Sequence, residues 1–346
     1  MNVVGTRLWA DVQHTPDVLE TTLREDEGRR AAAKLLRSGQ VRRLVAVGNG
    51  ASSYIAQSLW LAALETPAGG PVHVTAVPAG LLTTGRMRWE AGDAILAISA
   101  SGEARDLIGA LQQLPDGVSR IAVTSSPTST IAGLSDAVVP VATASQESLT
   151  HSHAYCGAVQ ACLALWAEAT EDSALQAALE RAPEVFRARL RDSLGWADEV
   201  LHGLDLPTAA FAFGSGSGWA AALEASLLIK ELAQIPGEGV ELREAATTVM
   251  TTLRPGHLVV DLTPGSPGAD EAETACAGRG ARVVRTPPSQ ELDNRLAPVT
   301  TFPELTALAL GLSLAAGQDP DTPAWSDTYF EVAREQTSTS TTPDGQ

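Results

Sequence analysis

With 346 residues, 44% of them hydrophobic, the chain is long enough for one large or two ordinary domains with real cores. Its 41 acidic against 24 basic residues give a formal net charge of −17, which argues against nucleic acid or an anionic membrane surface as a partner. Three cysteines without CxxC spacing, no basic and apolar leader, and no apolar run of about 18 residues lead us to expect a cytoplasmic protein with no membrane contact.

The first forty residues read as helical and polar, with Trp9, Val12, Val18, Leu19 and Leu23 as apolar contacts. "RRLVAVGNGASSYIAQSLWLAALE" (42–65) reads as a buried strand, a Gly/Ser turn and a helix. "HVTAVPAG" is a second strand, and "DAILAISASGEARDL" a third strand, turn and helix, with Leu107, Leu111 and Leu114 on one stripe. "SRIAVTSSPTSTIAGLSDAVVPVA" supplies strand, turn, short helix and strand, and a long helix opens within "SLTHSHAYCGAVQACLALWAEA". The charged helical stretch from Glu180 to Leu201 carries the chain away from this unit. Then the layout restarts: "AAFAFGSGSGWAAALEASLLIKELAQI" repeats strand, Gly-x-Gly turn and helix, and "HLVVDLTPGSPGADEAE" and "GARVVRT" add strands.

Strands alternating with helices predict an α/β fold of open parallel sheets wrapped by helices, and the restart predicts an internal duplication. The expected divisions are an N-terminal helical segment (1–40), a first unit (41–180), a helical linker (181–205), a second unit (206–334) and a Ser/Thr-rich disordered tail (335–346).

Two turns carry the chemistry of the first unit. Gly48-Asn49-Gly50 is followed by Ser52 and Ser53, and the third strand runs into Ser99-Ala100-Ser101-Gly102-Glu103. A dinucleotide turn is one reading, with Glu65 near the place of a ribose-binding acid, but the third glycine is missing. A plain structural turn is another. Serine hydroxyls in two successive turns at the carboxyl ends of parallel strands favour a phosphoryl group.

"LAISASGEARDL" is similar to the Ser-Gln-Ser-Gly-Glu-Thr phosphate loop of the sugar isomerase (SIS) domain family, and "VGNGASSYIA" to its Gly-(Thr/Ser)-Ser-Tyr turn. "LWADVQHTPDVL", "LEASLLIKELAQI" and "GQDPDTPAW" resemble, in the right order, the family's N-terminal segment, second-domain helix and closing turn. The resemblance is to the tandem form, found in the isomerase half of glucosamine-6-phosphate synthase and in related phosphosugar deaminases and deglycases. It implies two tandem SIS domains, each a parallel sheet flanked by helices in a flavodoxin-like three-layer sandwich, and a homodimer. It also implies a phosphorylated sugar or amino sugar as ligand, held by Ser52, Ser53, Ser99, Ser101 and the amide of Gly102. No cofactor pattern is evident, and a His-x-His pair such as His151/His153 can bind metal but has no evident third ligand cluster, so neither cofactor nor metal is expected. The synthase's amidotransferase domain has no counterpart here, so glutamine-driven amination is not expected. Ala100 and Ala104 replace the family's Gln and Thr, and a lost hydroxyl costs about 1 kcal/mol.

In the family the proton-shuttling base is the glutamate closing the second-domain helix, which is Glu231 here. Glu224 stands two helical turns earlier on the same face, and burial with like charge raises one carboxyl of such a pair. The family's lysine between them is Leu228; its ring-opening histidine falls at Thr247 and its Schiff-base lysine near Thr328. With Lys34 and Lys230 as the only lysines, a tail imine is excluded. "ASQESLTHSHAYCG" lies where the family contacts sugar hydroxyls, placing Leu149, Thr150, His151 and Ser152 at contacting positions and His153 in place of a lysine. His151 and His153 are candidates for the missing acid/base work, since imidazoles titrate near neutrality. The expected function is isomerisation, deamination or deglycation of a phosphorylated ketose or amino sugar. A non-catalytic sugar-phosphate-binding regulator is the alternative.

Overall fold

The computed structural model describes residues 3–67, 69–82, 85, 87–288 and 293–328; the stretch 335–346, expected to be disordered, lies outside them. Five parallel strands form the first sheet: β1 (Arg43–Gly48), β2 (His73–Pro78), β3 (Asp93–Ile98), β4 (Ser119–Thr124) and β5 (Ala137–Pro140), in the order β2-β1-β3-β4-β5. Four more form the second: β6 (Ala209–Gly214), β7 (Gly237–Glu241), β8 (His257–Asp261) and β9 (Arg282–Arg285), in the order β7-β6-β8-β9. In both sheets the order reverses beside the first strand. That switch point is where open α/β sheets bind ligands, and the first sheet has the flavodoxin-like order.

The period-two alternation of strand side chains explains the layers. Val45, Val47, Ile95 and Ala97 face a small outer layer with Leu107, Leu111 and Ile131. Leu44, Ala46, Leu96 and Ile98 face inward, and so do Ala210, Ala212, Leu258 and Val260 of the second sheet. All of these join one core built on the helices Ala51–Leu64, His153–Thr170, Ser173–Leu201, Gly218–Ala233 and Phe302–Ala315. The two sheets therefore share a helical middle, and the His153–Thr170 helix is apolar nearly all round because it lies within it.

Three short helices, Arg7–Gln13, Thr15–Arg24 and Glu27–Arg37, precede β1. Thr6 caps the first of them, accepting from the Trp9 amide at 3.2 Å. Trp9, Val12, Val18 and Leu19 are buried as the apolar spacing predicts, and Leu23 packs at the core's edge. The helix read from Glu180 begins earlier, at Ser173, where the Asp172 carboxylate caps the Leu175 amide at 2.9 Å. The strand β7, "GEGVE", has no sequence signal because close packing sets it: a Cβ on Gly237 would overlap the Ala210 carbonyl, and one on Gly239 the Ala222 backbone.

Candidate functional site

Three turns converge at the carboxyl ends of β1, β3 and β4. The first is tight: Gly50 has φ +53°, and a Cβ on Gly48 would overlap the Ser52 backbone. The amides of Ser52 and Ser53 close it onto the carbonyls of Asn49 and Gly50 at 3.1 and 2.9 Å. Both serines thereby open the Ala51–Leu64 helix, Ser53 buried and Ser52 half-buried.

The second turn folds on itself. Ser99, buried, accepts from the Gly102 amide at 3.1 Å, and exposed Ser101 accepts from the Glu103 amide at 3.2 Å. Gly102 has φ +69°, and a Cβ there would overlap the Ser129 side chain. Glu103 does not face the turn with a free charge. Thr130 donates its amide and hydroxyl to it at 2.8 and 2.7 Å, which lowers its pKa. Asn49 donates to Asp106 at 3.2 Å and ties the first turn to the second.

The third turn, Thr124–Ser129, is where sequence reading missed residues. The Thr124 hydroxyl donates to the Ala100 carbonyl at 3.1 Å, and the hydroxyls of Ser125 and Ser129 have no partner among the described residues. A buried, unpartnered hydroxyl is costly unless something else satisfies it. The signal was present as "TSSPTST", a hydroxyl-rich turn directly after a strand.

The acidic pair lies on the Gly218–Ala233 helix. Glu224 is 2% exposed, its Oε2 has no partner among the described residues, and burial followed by the Glu231 charge raises its pKa well above its ordinary value. Glu231 is half-buried. Burial raises its pKa, while a hydroxyl bond from Thr150 and the charge of Lys230 draw it back. The Thr150 hydroxyl donates to Glu231 Oε2 at 3.1 Å, and the Trp325 indole donates to the Glu231 carbonyl at 2.8 Å. Tyr54, one residue past Ser53, is the second missed residue. Burial and then the charges of Glu224 and Glu231 raise its pKa, so the phenol feels both acids. One helix thus carries the serine turn and a phenol within the field of the acids.

The remaining candidates divide. Leu149 is 39% exposed, and Ser152 is fully buried with its hydroxyl unpartnered among the described residues. His151 is exposed, its Nδ1 3.3 Å from Gln146 Nε2; the protein packed about its ring and the His153 charge lower its pKa. His153 is 1% exposed, and burial lowers its pKa against the pull of the Asp11 carboxylate. The charges acting on His153 are those of Asp11 and His14, not those of the acidic pair. Leu228 is fully buried, and the Thr247 hydroxyl is bonded back to the Arg243 carbonyl at 2.9 Å. Among the described residues no three His, Cys, Asp or Glu side chains group as metal ligands, and no helix is long and apolar enough to cross a membrane.

The corresponding turn of the second unit is already filled. Gly216 has φ +54°, and the Ser217 amide donates to the carboxylate of Glu65, from the end of the Ala51–Leu64 helix. Asn294 donates to the same carboxylate at 3.2 and 3.3 Å. Glu65 therefore joins the two units and faces no ribose.

Residues 39–167 match the family model described as SIS domain. The isomerizing glutamine–fructose-6-phosphate aminotransferase of Pyrobaculum aerophilum is 25% identical over 259 residues, 68% of this chain and 43% of that protein. The chain spans less than half the length of the curated relatives it matches. The C-terminal domain of glucosamine-fructose-6-phosphate aminotransferase from Francisella tularensis has a TM-score of 0.77 at 16% identity, covering 93% of this chain and 100% of that one. Tagatose-6-phosphate ketose/aldose isomerase from Escherichia coli has a TM-score of 0.76 at 18% identity, covering 94% and 96%. At such identities these likenesses speak for the fold alone. The match to the SIS domain model covers residues 39–167, and the chain as a whole shares with these structures a fold of two parallel sheets flanked by helices.

Proposed function

We propose that this protein binds a phosphorylated ketose or amino sugar and moves a proton between its C1 and C2. The phosphate is held by the hydroxyls of Ser52, Ser53, Ser99, Ser101 and Ser129 at the switch point of the first sheet. The sugar carbons lie toward Glu231, which takes the proton from one carbon, leaves an enediol or enolamine, and returns it to the next. Isomerisation, deamination and deglycation all share that step. The observation that carries this reading is the Thr150–Glu231–Glu224 arrangement beside the helix opened by Ser52 and Ser53. A charged Glu231 and a protonated Glu224 form a base and an acid, because two buried carboxyls on one face do not ionise together.

A thermal-shift panel of hexose and amino-sugar phosphates, followed by proton-exchange NMR at C1 and C2, tests this. Binding with exchange that disappears in Glu231→Gln is the expected result. Absence of both binding and exchange overturns it. Binding without exchange selects a non-catalytic sensor, the reading favoured by Leu228, Thr247 and Thr328 at the family's lysine and histidine positions.

A further inference from the structure

Asp11, on the Arg7–Gln13 helix, is only 2% exposed. No arginine or lysine pairs with it among the described residues; its carboxylate instead collects hydrogen bonds from one short stretch. The Glu147 amide donates to both oxygens at 3.1 Å, and the Ser148 amide and hydroxyl donate to Oδ2 at 2.8 and 2.5 Å. Burying a carboxylate is costly, so this bonding holds the stretch firmly. The Ser148 hydroxyl also lies 2.9 Å from the Thr150 carbonyl, and the Thr150 hydroxyl donates to Glu231 at 3.1 Å.

We propose that Asp11 is a positioning residue for Glu231: it pins Glu147 and Ser148 so that the Thr150 hydroxyl is held on the Glu231 carboxylate. An N-terminal helix thereby sets the state of a carboxylate on the second unit. The importance of that link rests on reading Glu231 as the proton-moving group. The groups around Glu231 are Thr150 from the loop, Tyr54 from the Ala51–Leu64 helix, and Glu224 and Lys230 on its own helix. Asp11 faces His153, which also feels His14.

The test is a carboxyl 13C NMR titration of the full chain, with the Glu231 signal assigned by its absence in Glu231→Gln. Removing the hydroxyl donor in Thr150→Val is expected to raise the Glu231 midpoint by roughly one pH unit. Asp11→Asn, which turns an NH2 toward the two amides, should raise it by a similar amount. The double variant should move no further than Thr150→Val alone. A merely structural Asp11 would lower the melting temperature and leave the midpoint in place; that result, or additive shifts, overturns the proposal. If Asp11→Asn does not fold, Ser148→Ala cuts the same link and carries the same expectation. No substrate enters this titration, so it fails independently of the proton-exchange assay on Glu231→Gln.

Discussion

Thr150 donates its hydroxyl to Glu231 across the boundary between the two sheets, joining the loop after β5 to the last turn of the Gly218–Ala233 helix. A hydroxyl donating to a carboxylate stabilises the charged form, which a base needs. Such a bond is worth about 1.5–3 kcal/mol, so Thr150→Val should slow proton exchange at neutral pH by about tenfold. Burial keeps raising the Glu231 pKa in the variant, so the acid limb of its pH–rate profile should move to higher pH. An unmoved limb would show that the hydroxyl serves the sugar rather than the base.

The proposed phosphate turns allow binding to be separated from stability. Ser129 is buried with its hydroxyl unpartnered among the described residues and lies directly against Gly102. Ser129→Ala should leave the melting temperature nearly unchanged, since no bond is lost, and weaken sugar-phosphate binding by about tenfold. Gly102→Ala should lower both, because an L side chain at φ +69° is strained by about 1–2 kcal/mol and its Cβ meets Ser129. Isothermal titration beside thermal melts checks the pair. Equal losses of stability in both variants would make Ser129 a packing residue.

Local pattern made the strands, turns and helices legible, because β1, β3 and β8 are apolar runs closed by Gly, Ser or Pro. It also placed Ser52, Ser53, Ser99 and Ser101 at strand ends. The strand β7 escaped, since its glycines are needed to let backbones approach and leave no alternation to read. Asp11 and Ser148 escaped for a different reason: 137 positions separate them, and neither residue type at its own position signals the other. Tyr54 lay inside a recognised turn, but its closeness to Glu224 and Glu231 depends on how two helices pack. Sequence pattern reports local periods; contacts between distant elements come from packing alone.

Glu65 closes the other end of that helix pair. Its carboxylate takes the Ser217 amide and the Asn294 side chain, while Trp60 and Trp219 meet edge-on, ring centroids 6.2 Å apart. Glu65→Ala leaves the Ser217 amide without its acceptor and should cost about 2 kcal/mol. Hydrogen exchange should quicken at residues 215–219 while the β1 and β3 amides stay protected. Uniform quickening through both sheets would mean that Glu65 supports the whole fold rather than this junction.

Glu304 gives the stability of the chain a pH dependence whose sign can be worked out. It is 1% exposed and paired to Arg189 at 3.0 Å, yet burial pushes its carboxyl up to about 7 from an ordinary 4.5. Between those values the folded chain binds more protons than the unfolded one, so stability from this group falls as pH rises and levels off above pH 7. The gap corresponds to on the order of 3 kcal/mol. Glu304→Gln removes the titration and keeps a carbonyl acceptor for Arg189. Other titrating carboxyls, buried Glu224 and ion-paired Asp172 among them, are common to both proteins and cancel in the difference. Urea unfolding at pH 5 and pH 8 should therefore show the variant gaining a few kcal/mol on the wild type at the higher pH. A difference that stays constant between the two pH values would mean that Glu304 is charged throughout, held so by Arg189 more strongly than burial opposes it.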